Sequence, residues 1–192
     1  RTTALLTRLG VTRLTGDQLL RDLEHVIGNA TMLEDASSVG FPGSNEKLET
    51  IQEWLSGANW ALQMRAAKLP LFHARDGKLR RLAGDPSDRV GALLVPEEHE
   101  QLATFYGARR ALVSFGVSNA QDALLARINP PALGFEVLLA DLRHAGFIER
   151  DRESLLALQR LLEAERRQIA DTTRDELASL DIWPDTDGTP RR

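Results

Sequence analysis

The sequence predicts a predominantly helical α+β chain, built as two tandem copies of a unit of several helices plus a small antiparallel β-hairpin sheet. Apolar residues recur at three- and four-residue steps over most of the chain, the pattern of amphipathic helices. That pattern is interrupted near Leu71 by two short apolar runs on either side of Arg75-Asp76-Gly77. Asp-Gly is a hairpin signal because glycine tolerates positive φ. The chain also repeats itself. Ala67 to Arg81 aligns without gaps on Ala178 to Arg192, an offset of 111 positions. The identities are Ala67/Ala178, Leu69/Leu180, Asp76/Asp187, Gly77/Gly188, Arg80/Arg191 and Arg81/Arg192. Leu9-Gly10-Val11-Thr12 reappears as Phe115-Gly116-Val117-Ser118, and Asp17-Gln18-Leu19-Leu20 as Asp122-Ala123-Leu124-Leu125. The same order at nearly constant spacing points to a duplicated unit of domain size, far longer than solenoid periods of roughly 20–50 residues. The expected units are 1–106 and 107–192, the second truncated at its C-terminus. The missing initiator Met and the stop inside a repeated motif lead to the expectation of a piece of a longer chain.

The elements follow in order. Thr2 to Arg8 reads as a helix tail capped by Gly10. Thr15-Gly16-Asp17 offers N-caps for a helix to Ile27, with Leu19, Leu20, Leu23, Val26 and Ile27 as its apolar positions. Asp35 to Ser44 is loop, rich in Ser, Gly and Pro. Ser44 then caps a long helix to about Lys68, with Leu48, Ile51, Leu55, Ala58 and Leu62 in one stripe. Pro70 stops it. Leu71 to Ala74 and Lys78 to Leu82 read as hairpin strands. Val90 to Val95 is a buried strand closed by Pro96, and Glu97 to Tyr106 a helix with acids at its start. In the second copy, Ala108 to Ser114 reads as helix tail, Gly116 as its cap and Ala120 to Ile128 as a short helix. Phe135 to His144 and Arg152 to about Ala170 are further helices, the latter with Leu155, Leu158, Leu162 and Ile169 as its stripe. Thr173 with Glu176 forms a capping box for a last helix.

Composition narrows the function. A net charge of −4 over 192 residues gives no general attraction to nucleic acid or anionic membrane. The absence of cysteine removes disulfide and thiol chemistry and fits a cytoplasmic location. No apolar run approaches the roughly 18 residues of a membrane helix.

Sites are sparse. His25, His73, His99 and His144 lack metal-ligand spacing. Gly40-Phe41-Pro42-Gly43-Ser44-Asn45-Glu46-Lys47 departs from a phosphate loop, which wants Gly directly before Lys. Asp185-Thr186-Asp187-Gly188 lacks the outer ligands of a calcium loop. No serine sits in a nucleophile elbow, and the Glu97-Glu98 pair reads as a solvated helix start. The reading is therefore of a protein that is not an enzyme, with no catalytic, cofactor-binding or metal residues and no cofactor. The candidate interaction surface is the basic hairpin: Arg75, Lys78, Arg80 and Arg81. Nucleic acid is disfavoured as its partner because no aromatic ladder accompanies the basic residues.

Three stretches carry a family resemblance: Leu9-Gly10-Val11, Lys68-Leu69-Pro70-Leu71-Phe72 to Asp76-Gly77, and Leu93-Leu94-Val95-Pro96. They resemble the repeated regions of sacsin-type proteins, large chains that carry a GHKL-type ATPase-like module. The second copy departs from the pattern, with Asp181 where the first has Pro70 and Pro190 where it has Leu79. The resemblance implies a non-catalytic, chaperone-like interaction or scaffold segment of a larger multidomain protein, with nucleotide handled elsewhere. Its partners would be other domains of the parent chain or protein clients. The alternative is a regulatory or substrate-recruiting module of a bacterial ATPase or nuclease system of the defence type.

Overall fold

A computed structural model describes residues 15–35, 45–144, 146–149, 151–180 and 182–183. Among them the chain is predominantly helical α+β, with eight α-helices and five two-residue strands. No described helix is long and apolar enough to cross a membrane. The chain forms two compact units that interleave along the sequence. One comprises the described residues up to His73, then Gly77–Leu82 and Phe115–Asn129; the other comprises Ala74–Asp76, Ala83–Ser114 and the described residues from Pro130 onward. This grouping by contact divides the chain differently from the boundaries 1–106 and 107–192. Gly10, Ser44, Gly188, Arg191 and Arg192, with the helix tail at Thr2 to Arg8 and the hairpin expected in the second copy, lie outside the described residues.

The first unit opens with α1, Gly16–Ile27. Thr15 is extended, and its hydroxyl accepts the Gln18 N–H at 3.3 Å while its own N–H donates to Gln18 Oε1 at 2.9 Å. This reciprocal box satisfies two donors that a helix start leaves unpaired. Leu20, Leu23 and Ile27 are buried, whereas Val26, expected on the stripe, falls at its edge and is 59% exposed. Gly28 ends the helix at φ 60, where a β-carbon would be strained.

The long helix expected to reach Lys68 is two helices: α2, Asn45–Ser56, and α3, Trp60–Ala66. Gly57 weakens the helix locally. Asn59 starts a new one, its Oδ1 accepting the Leu62 N–H at 3.1 Å. Gln63 supports the break from the other side: its Nε2 lies 3.1–3.2 Å from the carbonyls of Leu55, Ser56 and Ala58. The end of α2 thus finds its missing donors in one buried side chain.

Strands β2 (Phe72–His73) and β3 (Leu79–Arg80) form the expected hairpin, antiparallel with Phe72 opposite Arg80. Gly77 takes φ 80 in the connection. An unforeseen strand, β1 (Met32–Leu33), pairs with the other edge of β3. Helix α5 (Asn119–Ile128), capped by Ser118, packs along α2 and α3. It also brings Gln121 to the open edge of β2. There Gln121 Oε1 accepts the His73 N–H at 2.8 Å and its Nε2 donates to His73 O at 3.1 Å. Gln52 Nε2 donates to Leu71 O at 2.6 Å. Both glutamines are fully buried and take the place of a further strand.

In the second unit, β4 (Leu93–Leu94) and β5 (Leu112–Val113) pair in parallel. A parallel pair needs a crossover, supplied by the 3-10 turn Glu97–His99, helix α4 (Glu100–Tyr106) and the 3-10 turn Gly107–Arg109. This corrects the reading of 108–114 as helix tail. Gly107 at φ 50 ends α4, and Arg110 is already extended. Gly116, which belongs to the first unit, follows a strand rather than a helix, and its N–H donates to the Asp122 carboxylate of the same unit. The strand expected from Val90 to Val95 narrows to β4, and Val90 is half exposed.

Three helices complete this unit: α6 (Phe135–Leu142), α7 (Arg152–Ala164) and α8 (Asp171–Ala178). Helix α7 stops six residues short of Ala170, and Leu161 rather than Leu162 completes its buried stripe. Helix α8 begins at Asp171, so Thr173 is buried within it and caps nothing. The core gathers Leu93, Leu102, Tyr106, Leu133, Leu138 and Leu158.

Replacing Gln121 with Leu keeps the volume but leaves two part-buried backbone groups of His73 without partners, at about 1–2 kcal/mol each, the lower part of the usual range. Urea denaturation of Gln121→Leu is expected to show a loss of ~2–4 kcal/mol. A loss within error of zero would mean that the β2 edge does not depend on the glutamine.

Candidate functional site

The basic residues singled out by the sequence divide between the units. Arg75 belongs to the second, where its guanidinium grips both carboxylate oxygens of Glu100. That pairing holds the Glu100 carboxyl below the usual range and raises Arg75. Lys78, Arg80 and Arg81 come together in the first unit. Lys78 Nζ meets Glu34 Oε1 at 2.8 Å, and Arg81 Nη1 donates to Leu82 O at 3.2 Å. Arg80 is half-buried in the central strand. Much of the hairpin's positive charge is therefore engaged within the chain.

The other titratable candidates disperse. His25 and His144 are exposed, and His99 packs edge-on against Phe135 at 5.5 Å. His73 is half-buried on β2, and burial pushes its imidazole below the ordinary value despite the Glu49 carboxylate. Among the described residues no group of His, Cys, Asp or Glu could hold a metal ion. Glu97 and Glu98 are exposed at a turn, as expected.

One buried polar cluster is absent from the sequence analysis. Asp141 on α6 is buried in the second unit, with Oδ2 accepting from Tyr106 Oη at 2.9 Å and Arg110 Nη1 at 2.8 Å. Its Oδ1 accepts from Arg89 Nη2 at 2.9 Å. Arg110 continues to the carbonyls of Pro86 and Asp88. Burial, and then the Asp141 charge, push the Tyr106 phenol far above its normal range. A phenol so hard to ionise and a carboxylate with both oxygens occupied form neither a base nor a nucleophile at neutral pH. The cluster is a structural tie from the loop 84–91 to α4 and α6. Its sequence signal was a charge inside an apolar run, as in Leu138-Leu139-Ala140-Asp141-Leu142.

A hollow of apolar character lies in the second unit, with a volume of about 430 Å³. Its floor is Leu162 from α7, Ile169 from the turn, Leu177 and Ala178 from α8, and Trp183. Its rim is Gln159, Glu163, Arg166 and Arg174. The volume falls within the range of about 300–1,000 Å³ typical of ligand sites. Its polar groups are mostly occupied. Trp183 Nε1 donates to Leu177 O at 2.6 Å, so the indole offers the hollow only carbon. Arg174 bonds Asp171 and the carbonyls of Arg166 and Ile169. Glu163 accepts from Gln159 Nε2 at 3.2 Å. Arg166 is exposed and, among the described residues, has no side-chain partner. A second hollow, between α2 and α5 of the first unit, is polar and lined by Glu46, Glu49 and Glu53.

No protein-family model, no curated protein and no solved structure matches the chain.

Two measurements test the electrostatics. Asp141→Ala strands the Arg110 guanidinium in the core, and losing one partner of a buried pair costs about 3–5 kcal/mol. Chemical denaturation should show that loss, and an unchanged midpoint would mean that the cluster is not formed. His73 is depressed in the folded chain, so below about 6.5 the unfolded chain takes up the proton more readily. Its contribution is present above that value and is lost as pH falls through it. The urea midpoint of the wild type is expected to drop more than that of His73→Gln between about pH 7.5 and about pH 5.5. Parallel profiles would mean that the imidazole is not desolvated.

Proposed function

We propose that this chain is a non-catalytic interaction segment, chaperone-like or scaffolding, of a larger multidomain protein, and that it works in the cytoplasm. The observation that carries this reading is the apolar hollow formed by Leu162, Ile169, Leu177, Ala178 and Trp183. A concave, mainly apolar hollow of this size is a common form of binding site. The chemistry around it favours binding over reaction: Trp183, most of Arg174 and Glu163 are engaged within the chain. The short motifs that resemble sacsin-type repeats point the same way, since that resemblance implies client or domain contacts and no catalytic residue. The partners under this proposal are other domains of the parent chain or protein clients.

The experiment is suppression of aggregation of a thermolabile reporter enzyme, with the Ala178→Trp variant as control. Ala178 is exposed on α8 and lines the hollow, so an indole there fills the site with little demand on the core. The wild type is expected to suppress light scattering at near-stoichiometric ratio and Ala178→Trp to lose most of that effect. No suppression by either protein, or tight ATP binding by calorimetry, would overturn the proposal.

A further inference from the structure

We infer that the Asp76–Gly77 bond, in the connection between β2 and β3, is a site of spontaneous covalent modification at which aspartate converts through a succinimide into isoaspartate. This goes beyond the interaction role and does not depend on it. Three observations place the reaction there. Asp76 and Gly77 are both exposed, so water reaches the bond. The connection 74–78 is longer than a tight two-residue hairpin turn, which leaves the main chain room to bring the carboxyl toward the next nitrogen. Gly77 has no side chain to shield that nitrogen, and a β-carbon built on it would meet no heavy atom within 4 Å. Its φ of 80 disfavours other residues at the position, so the unshielded nitrogen is built into the turn.

The other described aspartates are held away from this chemistry. Those of the helices, such as Asp17, Asp122 and Asp141, sit in hydrogen-bonded backbone that fixes the following N–H along the axis. Pro86 follows Asp85 and has no N–H to give up. Ala36 after Asp35 carries a β-carbon beside its nitrogen. Asp88 and Asp151 spend their carboxylates on the N–H groups of Gly91 and Ser154, and a bulky arginine follows each.

The reaction needs only water. The Gly77 nitrogen gives up its proton to solvent and bonds to the side-chain carboxyl carbon of Asp76, whose hydroxyl leaves as water, and the succinimide ring closes. Water then adds to one of the two ring carbonyls. Opening at the side-chain carbonyl restores aspartate. Opening at the main-chain carbonyl leaves isoaspartate, with the main chain routed through the side-chain carbons and the α-carboxylate set free. Net charge is unchanged, but one extra carbon enters the main chain between His73 and Leu79, which are paired across the hairpin.

The test keeps the whole folded chain at neutral pH and physiological temperature for several weeks. Lys-C then cuts after Lys68 and Lys78, and the peptide from Leu69 to Lys78 carries Asp76 as its sole aspartate, apart from the second Asp-Gly pair at Asp187-Gly188. Reversed-phase chromatography resolves the isoaspartyl form, and an isoaspartyl carboxyl methyltransferase with a labelled methyl donor identifies it. That form is expected to grow steadily and to exceed the isoaspartate at every other described aspartate. Asp76→Asn should reach the same product severalfold faster, because the same ring closes with loss of ammonia from a neutral amide. Asp76→Glu keeps the charge but has to close a larger ring, and should give no labelled peptide. Absence of isoaspartate from the wild-type peptide overturns the inference, whether or not the chain unfolded in guanidinium forms it. Isoaspartate spread evenly over the described aspartates, or labelling of Asp76→Glu as strong as that of the wild type, overturns it equally.

Discussion

The constraint on which this structure depends is the supply of hydrogen-bond donors to backbone carbonyls. Its strands are two residues long and its helices short, so a large share of its backbone lies within one turn of an element's end, where carbonyls have no partner in the same element. Burying such a group unpaired costs about as much as losing a hydrogen bond. The chain meets the demand with long side chains turned inward. Gln63 serves the end of α2, Gln121 and Gln52 serve β2, Arg110 serves the loop before β4, Arg174 serves the turn after α7, and Trp183 serves the end of α8. The arrangement is not perfect: Gln52 Oε1 and Arg110 Nε remain buried without partners.

That constraint explains why charge enters the second core at all. A guanidinium, with five donors in a fixed fork, reaches two loop carbonyls and still has donors left for a carboxylate. Once Arg110 is buried, a counter-charge becomes obligatory, because an isolated buried cation is far more costly than a paired one. Asp141 provides it, and the Tyr106 hydroxyl, itself in need of an acceptor, closes the set. The pair fixes which way α6 faces, since only one register along that helix puts the carboxylate beneath Arg110.

Much of the local structure was legible in the residues. Thr15 and the Asp76-Gly77 turn act through their immediate neighbours, and the elements they bound follow. What was lost depended on longer reach. The break after Ser56 had a local sign in Gly57 and Asn59, but the apolar stripe continues through Ala58 and Leu62 and outweighed it. Periodicity cannot register that Gln63 folds back to close the first helix. Strand β5 was hidden for a similar reason. Leu112-Val113 is too short to alternate, and only its pairing with Leu93-Leu94 makes it a strand. The Asp141 cluster draws on residues far apart in sequence, and no spacing rule connects them. The basic hairpin shows the converse case. Its charges are conspicuous in the sequence, but the acids that engage Arg75 and Lys78, namely Glu100 and Glu34, lie at distances only the fold reveals.

The hollow beside α7 follows from the same donor shortage. Had α7 continued to Ala170, Leu162 and Ile169 would lie along one straight face. Because it ends at Ala164, the chain turns, and Ile169 and Leu177 come around to face Leu162 across a gap. The donors of Arg174 serve this turn and the Trp183 indole serves the end of α8, so both are taken away from the hollow. A site made in this way has little left with which to read a ligand's hydrogen-bonding pattern. It can sort occupants by size and by apolarity. Such coarse selection suits a surface that meets many sequences with modest affinity better than one that must recognise a single small molecule, because discrimination of the latter kind rests on buried polar groups that a wrong ligand would leave unpaired. The physical origin of the hollow and the proposed interaction role are thus consistent with one another.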